Sequence, residues 1–306
     1  MNNSVKSKVG TPMRKWLRSS VESKSIDIVV YLFCTFVLFA TLYPFYYILI
    51  ISFNEGLDAQ LGGIYWLPRA FTLENFEQFF TDERWLVGLR NSVLRTIIGT
   101  TIGVLFTSIV AYGLSFKNLV GRKFYLLFFI FSMYFSGGII PYFALLRGMG
   151  LLNTFAVYVI PGAVSVFFLL IGLSFFSSIP ASLRESAKID GASELTVFAR
   201  IIMPISKPFI ATCVLFTGVG HWNNWFDTAF FVRDRALATL SYLMMQVINS
   251  VQIAATAAQV GVTGRTSTTL SIQSAAMVVA TIPIICVYPF LQKYFVSGMM
   301  IGAVKE

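Results

Sequence analysis

Two short stretches of this sequence hold side chains whose types and spacing could do chemistry. The first runs Ser182-Leu183-Arg184-Glu185-Ser186-Ala187-Lys188-Ile189-Asp190-Gly191-Ala192-Ser193 and continues to Arg200-Ile201-Ile202-Met203-Pro204. Its chemistry is that of docking. Ser182 and Glu185 have the spacing of a capping box, in which each side chain satisfies a backbone N–H left over at a helix start. Gly191 follows Asp190 where a left-handed residue would end that helix without a Cβ clash, and Ser193 is placed to cap a second one. Leu195, Phe198, Ile201 and Ile202 recur at helical spacing on one face, until Pro204, lacking an N–H, stops or kinks the chain. Two short amphipathic helices are marginal in water by themselves, so this hairpin needs a partner to cover it.

The second stretch is His221-Trp222-Asn223-Asn224-Trp225-Phe226. Aromatic faces stack on the C–H faces of a pyranose and amides pair with its hydroxyls. Trp222, Asn223, Asn224 and Trp225, joined by Tyr142 from another segment, are therefore candidate substrate-path residues. Tryptophan is also an interfacial anchor of membrane proteins, and that reading stays open. His221, the only histidine, suits an interfacial hydrogen bond better than a proton relay. Arg95 reads as snorkelling or pairing within a helix bundle, with a gating role as the alternative.

Other chemistry is missing from the sequence. There is no G-x-x-x-x-G-K-[ST] phosphate loop, so no ATP site is expected in this chain. No nucleophile–base set stands out. Cys34, Cys213 and Cys286 are far apart, without a C-x-x-C pair or zinc spacing. The chain is expected to bind no metal and no cofactor of its own and to be no enzyme.

The elements that must position these residues are set by hydropathy. The chain is 56% hydrophobic and 12% charged, whereas soluble domains are about 25% charged. Its solvent must be lipid, and crossing the hydrocarbon core takes roughly 20 apolar residues in a helix. Such runs extend from about Ile28 to Ile51, Ser92 to Phe116, Phe124 to Leu146, Phe155 to Phe176, Pro208 to Phe226 and Ser271 to Leu291. The expected fold is all-α, a polytopic membrane protein with six transmembrane helices. The first run is too long for a secretory signal and lacks its cleavage site, so it is expected to remain as an anchor. Gly137, Gly138 and Pro141 interrupt the third run, through either a bend lining a pathway or close helix packing.

Orientation follows from lysine and arginine, which stay on the cytoplasmic side. Lys6, Lys8, Arg14, Lys15, Arg18 and Lys24 precede the first run, and Lys117, Arg122 and Lys123 sit between the second and third. The Ser52 to Asn91 loop is acidic, with Glu55, Asp58, Glu74, Glu77, Asp82 and Glu83. It is expected outside, with both termini and the Ser177 to Lys207 loop in the cytoplasm and the Asp227 to Leu270 loop outside. The net charge of +9 then serves topology and attraction to anionic headgroups; no nucleic-acid partner is expected.

Glu185-Ser186-Ala187, Asp190-Gly191-Ala192 and Ile201-Ile202-Met203-Pro204 resemble the EAA loop of ATP-binding-cassette importer permeases. Ser186 replaces the middle alanine of that pattern and Met203 its leucine. Trp66-Leu67-Pro68, Phe71-Thr72-Leu73-Glu74-Asn75-Phe76, Asn91-Ser92, Trp222 to Phe226 and Arg235 to Leu240 are similar to the carbohydrate branch, maltose-type importers included.

The resemblance implies the transmembrane subunit of a bacterial importer for sugars, oligosaccharides in particular, in the cytoplasmic membrane. It assigns Glu185, Ser186, Ala187, Asp190, Gly191, Ala192 and Pro204 to a coupling helix seated in a groove of a nucleotide-binding subunit. Implied partners are a second, similar permease forming a heterodimer, two ATPase subunits that hold ATP and Mg, an external substrate-binding protein and membrane lipid. Residues 1–25 then form a cytoplasmic tail, 26–91 the first helix and external loop, 92–292 the permease core with its coupling loop 177–207, and 293–306 a second cytoplasmic tail. The rival readings are a non-transporting membrane scaffold and an ion-driven secondary transporter. The latter needs intramembrane acids or a sodium site, and the six runs hold no aspartate or glutamate.

Overall fold

The computed structural model describes residues 21–259 and 267–303. All regular elements among them are helical, and the Asn54–Phe71 β-bridge is isolated. The expected N-terminal tail up to residue 20 and the last three residues lie outside the described residues.

Helix α1 (Val21–Ser52) has 32 residues, about 48 Å of helix, more than the roughly 30 Å hydrocarbon core requires. Its Phe33, Phe36, Phe39 and Phe45 are exposed, as suits a helix apolar all round and bathed in lipid. A small cap follows, with α2 (Gly56–Gln60) and α3 (Glu74–Thr81). Asn54 Oδ1 knits it together by accepting from the backbone N–H groups of Arg69 and Ala70 at 2.8 and 2.9 Å. Helix α4 (Glu83–Ser115) is N-capped by Asp82, whose carboxylate accepts from the Arg84 N–H.

The third apolar run is not one rod. It forms α5 (Arg122–Tyr134) and α6 (Ile139–Gly148), bent by 120°. Gly138 at the break has φ +81° and ψ 178°, a backbone region open essentially to glycine alone. The fourth run is also corrected. A 3₁₀ turn, Phe155–Tyr158, is followed by irregular chain through Pro161 and Gly162, and α7 (Val166–Ser178) starts only then. Ile160, Pro161 and Gly162 in this stretch are exposed, and at its end the Ser165 N–H donates to Thr107 Oγ1 at 3.0 Å.

Helix α7 turns by 71° into α8 (Ala181–Ile189), and α9 (Glu194–Ile205), π-wound over Phe198–Ile202, turns by 83° into α10 (Lys207–Asn223). The fifth run thus ends at Asn223 rather than Phe226, because Asn224 is extended before α11 (Phe226–Phe231). The expected Asp227 to Leu270 loop holds a 20-residue helix, α12 (Leu240–Gln259). Ser, Gln and Asn interrupt its hydropathy, yet Leu243, Met244 and Val247 pack into a core with Trp85 and Trp222. Helix α13 (Ser267–Ala303) closes the described chain and carries Pro283 and Pro289 inside it. By length and composition, three helices could cross a membrane, or six if each bent pair counts as one span.

Helix α4 is the axis of the molecule. Every fourth residue from Asn91, namely Arg95, Gly99, Gly103, Thr107, Ala111 and Ser115, is buried, forming one i±4 ridge. Helices in lipid associate through close packing, which small residues permit. A Cβ at Gly99 would meet the His221 ring of α10 at 2.6 Å, and one at Gly172 of α7 would meet Phe209 at 2.7 Å and Ala111 at 3.1 Å.

Candidate coupling hairpin and substrate path

Helices α8 and α9 form the hairpin expected from the sequence, with one local correction. The Ser182–Glu185 capping box is absent: Pro180, with φ −55°, stands at the N-cap and starts α8 early. Ser182 therefore lies inside the first turn, where its carbonyl accepts from Ser186 Oγ at 2.8 Å. The far end is as the residue types require. Gly191 has φ +81°, its N–H donates to the Lys188 carbonyl at 3.0 Å, and the Ala192 N–H reaches the Ala187 carbonyl at 2.9 Å. These two bonds make a Schellman motif. Ser193 Oγ then accepts from the Thr196 N–H at 3.3 Å and caps α9.

One side of the hairpin is bonded to the ends of the long helices. Ala187, Val197, Phe198 and Ile202 are buried in a cluster with Tyr112 of α4, Phe176 of α7 and Phe209 of α10, and Ala192 packs at its edge. Arg184 Nη2 donates to the Phe176 carbonyl at 2.8 Å and its guanidinium lies 5.1 Å from the Tyr112 ring centre. Glu194 accepts from Tyr112 Oη at 3.0 Å and pairs with Lys188 across the turn. The Lys188 hydrogen bond, aided by the Tyr112 hydroxyl, holds the Glu194 carboxyl below the ordinary glutamate range.

The other side is open. Glu185, Ser186, Asp190 and Gly191 are exposed, and beside them Ile189 is 86% and Leu195 71% exposed. Leu195 thus leaves the face it was expected to share with Phe198 and Ile202, because it sits at the hairpin tip. Pro204 is exposed near the end of α9, and the chain turns two residues later, at buried Ser206.

At the opposite end of α4, the expected substrate-path residues separate into two sets. Trp222 is 6% exposed and its indole N–H donates to the Ala280 carbonyl at 3.0 Å. It also lines a cavity of about 540 Å³ with Thr96, Thr100, Gly218 and Ile284, between α4, α10 and α13. Asn224 is bound on both sides: its carbonyl accepts from Arg95 at 3.0 Å and its Oδ1 accepts from the Asp227 N–H at 3.2 Å. Asn223 is exposed and Trp225 half-exposed. Trp225 packs on Phe226, Phe226 on Phe231, and Phe231 on the partly exposed Tyr142 ring, with centroid spacings of 6.0, 6.0 and 5.5 Å. One aromatic run therefore links Trp225 to Tyr142.

Sequence reasoning missed Asp227, which it placed in a loop; it pairs with Arg95, a side chain only 1% exposed. It also passed over Arg184, Lys188, Glu194 and Tyr112. Opposite charges at 188 and 194, flanking a glycine turn, are the one local signal that could have found part of this set. Among the described residues no cluster of histidine, cysteine or acidic side chains could hold a metal ion.

Residues 99–301 match the family described as binding-protein-dependent transport system inner membrane component. The chain belongs to that family and is a transporter subunit, not an enzyme. Protein LplC of Bacillus subtilis (strain 168) is 39% identical over 265 residues, covering 87% of this chain and 90% of its own. The polygalacturonan/rhamnogalacturonan transport system permease protein YtcP of the same strain is 35% identical over 286 residues, covering 93% of this chain and 100% of its own. A chain in the crystal structure of a bacterial ABC transporter involved in the import of the acidic polysaccharide alginate matches with a TM-score of 0.82 at 27% identity, over 90% of this chain and 99% of that one.

Proposed function

We propose that this chain is a membrane subunit of an ATP-driven importer for oligosaccharides, and that the α8–α9 hairpin takes up the stroke of separate ATPase subunits. The observation that carries this reading is the two-sided hairpin. One side is bonded to the ends of α4 and α7, while Ile189 and Leu195 stand uncovered on the other. Exposed apolar side chains at the tip of a rigid knob mark a protein contact. The names of the polygalacturonan and alginate transporters support a saccharide cargo.

In this reading the long helices and bent pairs make six spans of a bacterial cytoplasmic membrane, with both termini and the hairpin inside. ATP and Mg belong to the partner subunits. A second permease completes the path, an external binding protein delivers the sugar, and Asn223, Trp225 and Tyr142 line the route on this chain. Asp227 is the acid an ion-driven rival would use, but its pairing with Arg95 leaves it no free charge to offer.

The test combines topology with coupling. In intact cells, a membrane-impermeant maleimide is expected to label Glu77→Cys and not Ser182→Cys. Leu195→Asp is expected to leave insertion intact while releasing the ATPase subunits and stopping ATP-dependent uptake. Labelling of Ser182→Cys without lysis, or full uptake by Leu195→Asp, would overturn the reading.

A further inference from the structure

We infer that Arg95 is a positioning residue: through the Asn224 carbonyl and the Asp227 carboxylate it fixes the break after α10, so that Asn223 and Trp225 turn outward. The importance of that surface rests on the substrate-path reading above.

A charge at this depth is costly unless paired, and a simple tie between α4 and the following segment does not need one. On the same ridge Asn91 makes such a tie with an amide, donating to the Ala236 and Ala238 carbonyls at 2.8 and 2.9 Å. What a guanidinium adds is a rigid fork of donors aimed at two acceptors at once. Arg95 uses it across a helix break. Its Nη1 holds Asn224, which leaves the helix with φ −79° and ψ 112°, and its Nη2 holds Asp227 in the first turn of α11. The Tyr158 ring, 4.7 Å from the guanidinium carbon, backs the fork.

The break decides which side chains face outward. In an unbroken helix residues three apart share a face, so Trp225 would follow Trp222 inward towards α13. With the chain extended at Asn224, Trp222 stays bonded to Ala280, while Asn223 is exposed and Trp225 joins the aromatic run to Tyr142. Pairing also neutralises Asp227, leaving aromatic and amide groups as the outward chemistry.

The test uses the full importer in native membranes, with a cysteine-free chain carrying Trp225→Cys as reporter. Arg95→Gln is expected to slow impermeant-maleimide labelling of the reporter about tenfold, the scale of losing one net hydrogen bond at the break. Arg95→Lys keeps the charge but not the fork and is expected to fall between; it also serves if Arg95→Gln fails to insert. The exchange Arg95→Asp with Asp227→Arg restores a pair but no donor to Asn224. It is expected to recover expression and leave labelling slow. Unchanged labelling in Arg95→Gln and Arg95→Lys, or full recovery of labelling by the exchange, would show the pair to be only a charge tie. Uptake of trigalacturonate, measured without the reporter, separates the two ideas. A raised KM at unchanged maximal rate in Arg95→Lys supports both, whereas altered labelling with unchanged KM keeps the positioning role and removes these residues from the path.

Discussion

Gly191 isolates backbone conformation from packing. Its φ is +81°, and nothing lies within 4 Å of the position a Cβ would take. A side chain there meets no neighbour within the chain, so the cost is that of holding an L-residue left-handed, about 1–2 kcal/mol. A β-branched residue belongs at the top of that range. Relaxing instead would open the Gly191–Lys188 and Ala192–Ala187 hydrogen bonds, each worth about 0.5–1.5 kcal/mol. By either route Gly191→Val loses about 2 kcal/mol, which lowers the population of the closed turn roughly thirtyfold. Asparagine tolerates the left-handed region, so Gly191→Asn loses least, with alanine between. Vesicles containing the assembled importer, assayed for ATP-driven uptake and ATP hydrolysis, should rank asparagine, alanine and valine in that order of increasing damage. Wild-type coupling in Gly191→Val would refute the reasoning, and equal damage from asparagine and valine would assign the effect to bulk at the docking face.

The pairing of Glu194 makes hairpin attachment acid-sensitive. Its folded pKa lies below the ordinary 4.5, so its contribution is present above that value and is lost as pH falls through the lowered one. Hydrogen-exchange protection of amides 181–197 should drop in that acid window in the native chain and lose the dependence in Glu194→Gln. Thr107→Val leaves the Ser165 N–H without its acceptor, a loss of about 1–3 kcal/mol; the thermal midpoint in detergent should fall and Thr107→Ser should restore it. Gly99→Ala drives a methyl to 2.6 Å from the His221 ring, an overpacking cost of about 1–3 kcal/mol. Adding His221→Ala should recover part of that loss, and strict additivity of the two changes would contradict the contact.

What was legible in the sequence had local causes. Gly191 and Ser193 are dictated by turn and cap chemistry a few residues wide, and both stand where that chemistry puts them. The capping box failed for an equally local reason, since Pro180 starts the helix before Ser182 can cap it. Hydropathy identified lipid as the solvent but carries no information on backbone direction; the 120° bend of the third run was one of the two readings left open by Gly137, Gly138 and Pro141, and its angle was not legible. Of the substrate-path set, Asn223, Trp225 and Tyr142 lie towards solvent, while Trp222 was internalised by an acceptor 58 residues away. The Arg95–Asp227 pair spans 132 residues, and no periodicity reaches that far.

The buried ridge on α4 limits how the molecule can move. Steps of four residues advance about 40° around a helix, so from Asn91 to Ser115 the stripe winds through roughly 240°. Successive partners therefore grip α4 from different compass directions: Ala236 and Ala238, then Asp227, then His221, then Ser165, then Gly172. Between these contacts Leu94, Ile97, Leu105, Phe106 and Ile109 stay exposed, so the grip is a winding band and not a closed sleeve. In the proposed coupling reading, a push delivered at Tyr112 enters at one end of that band, and Arg95 lies near the other.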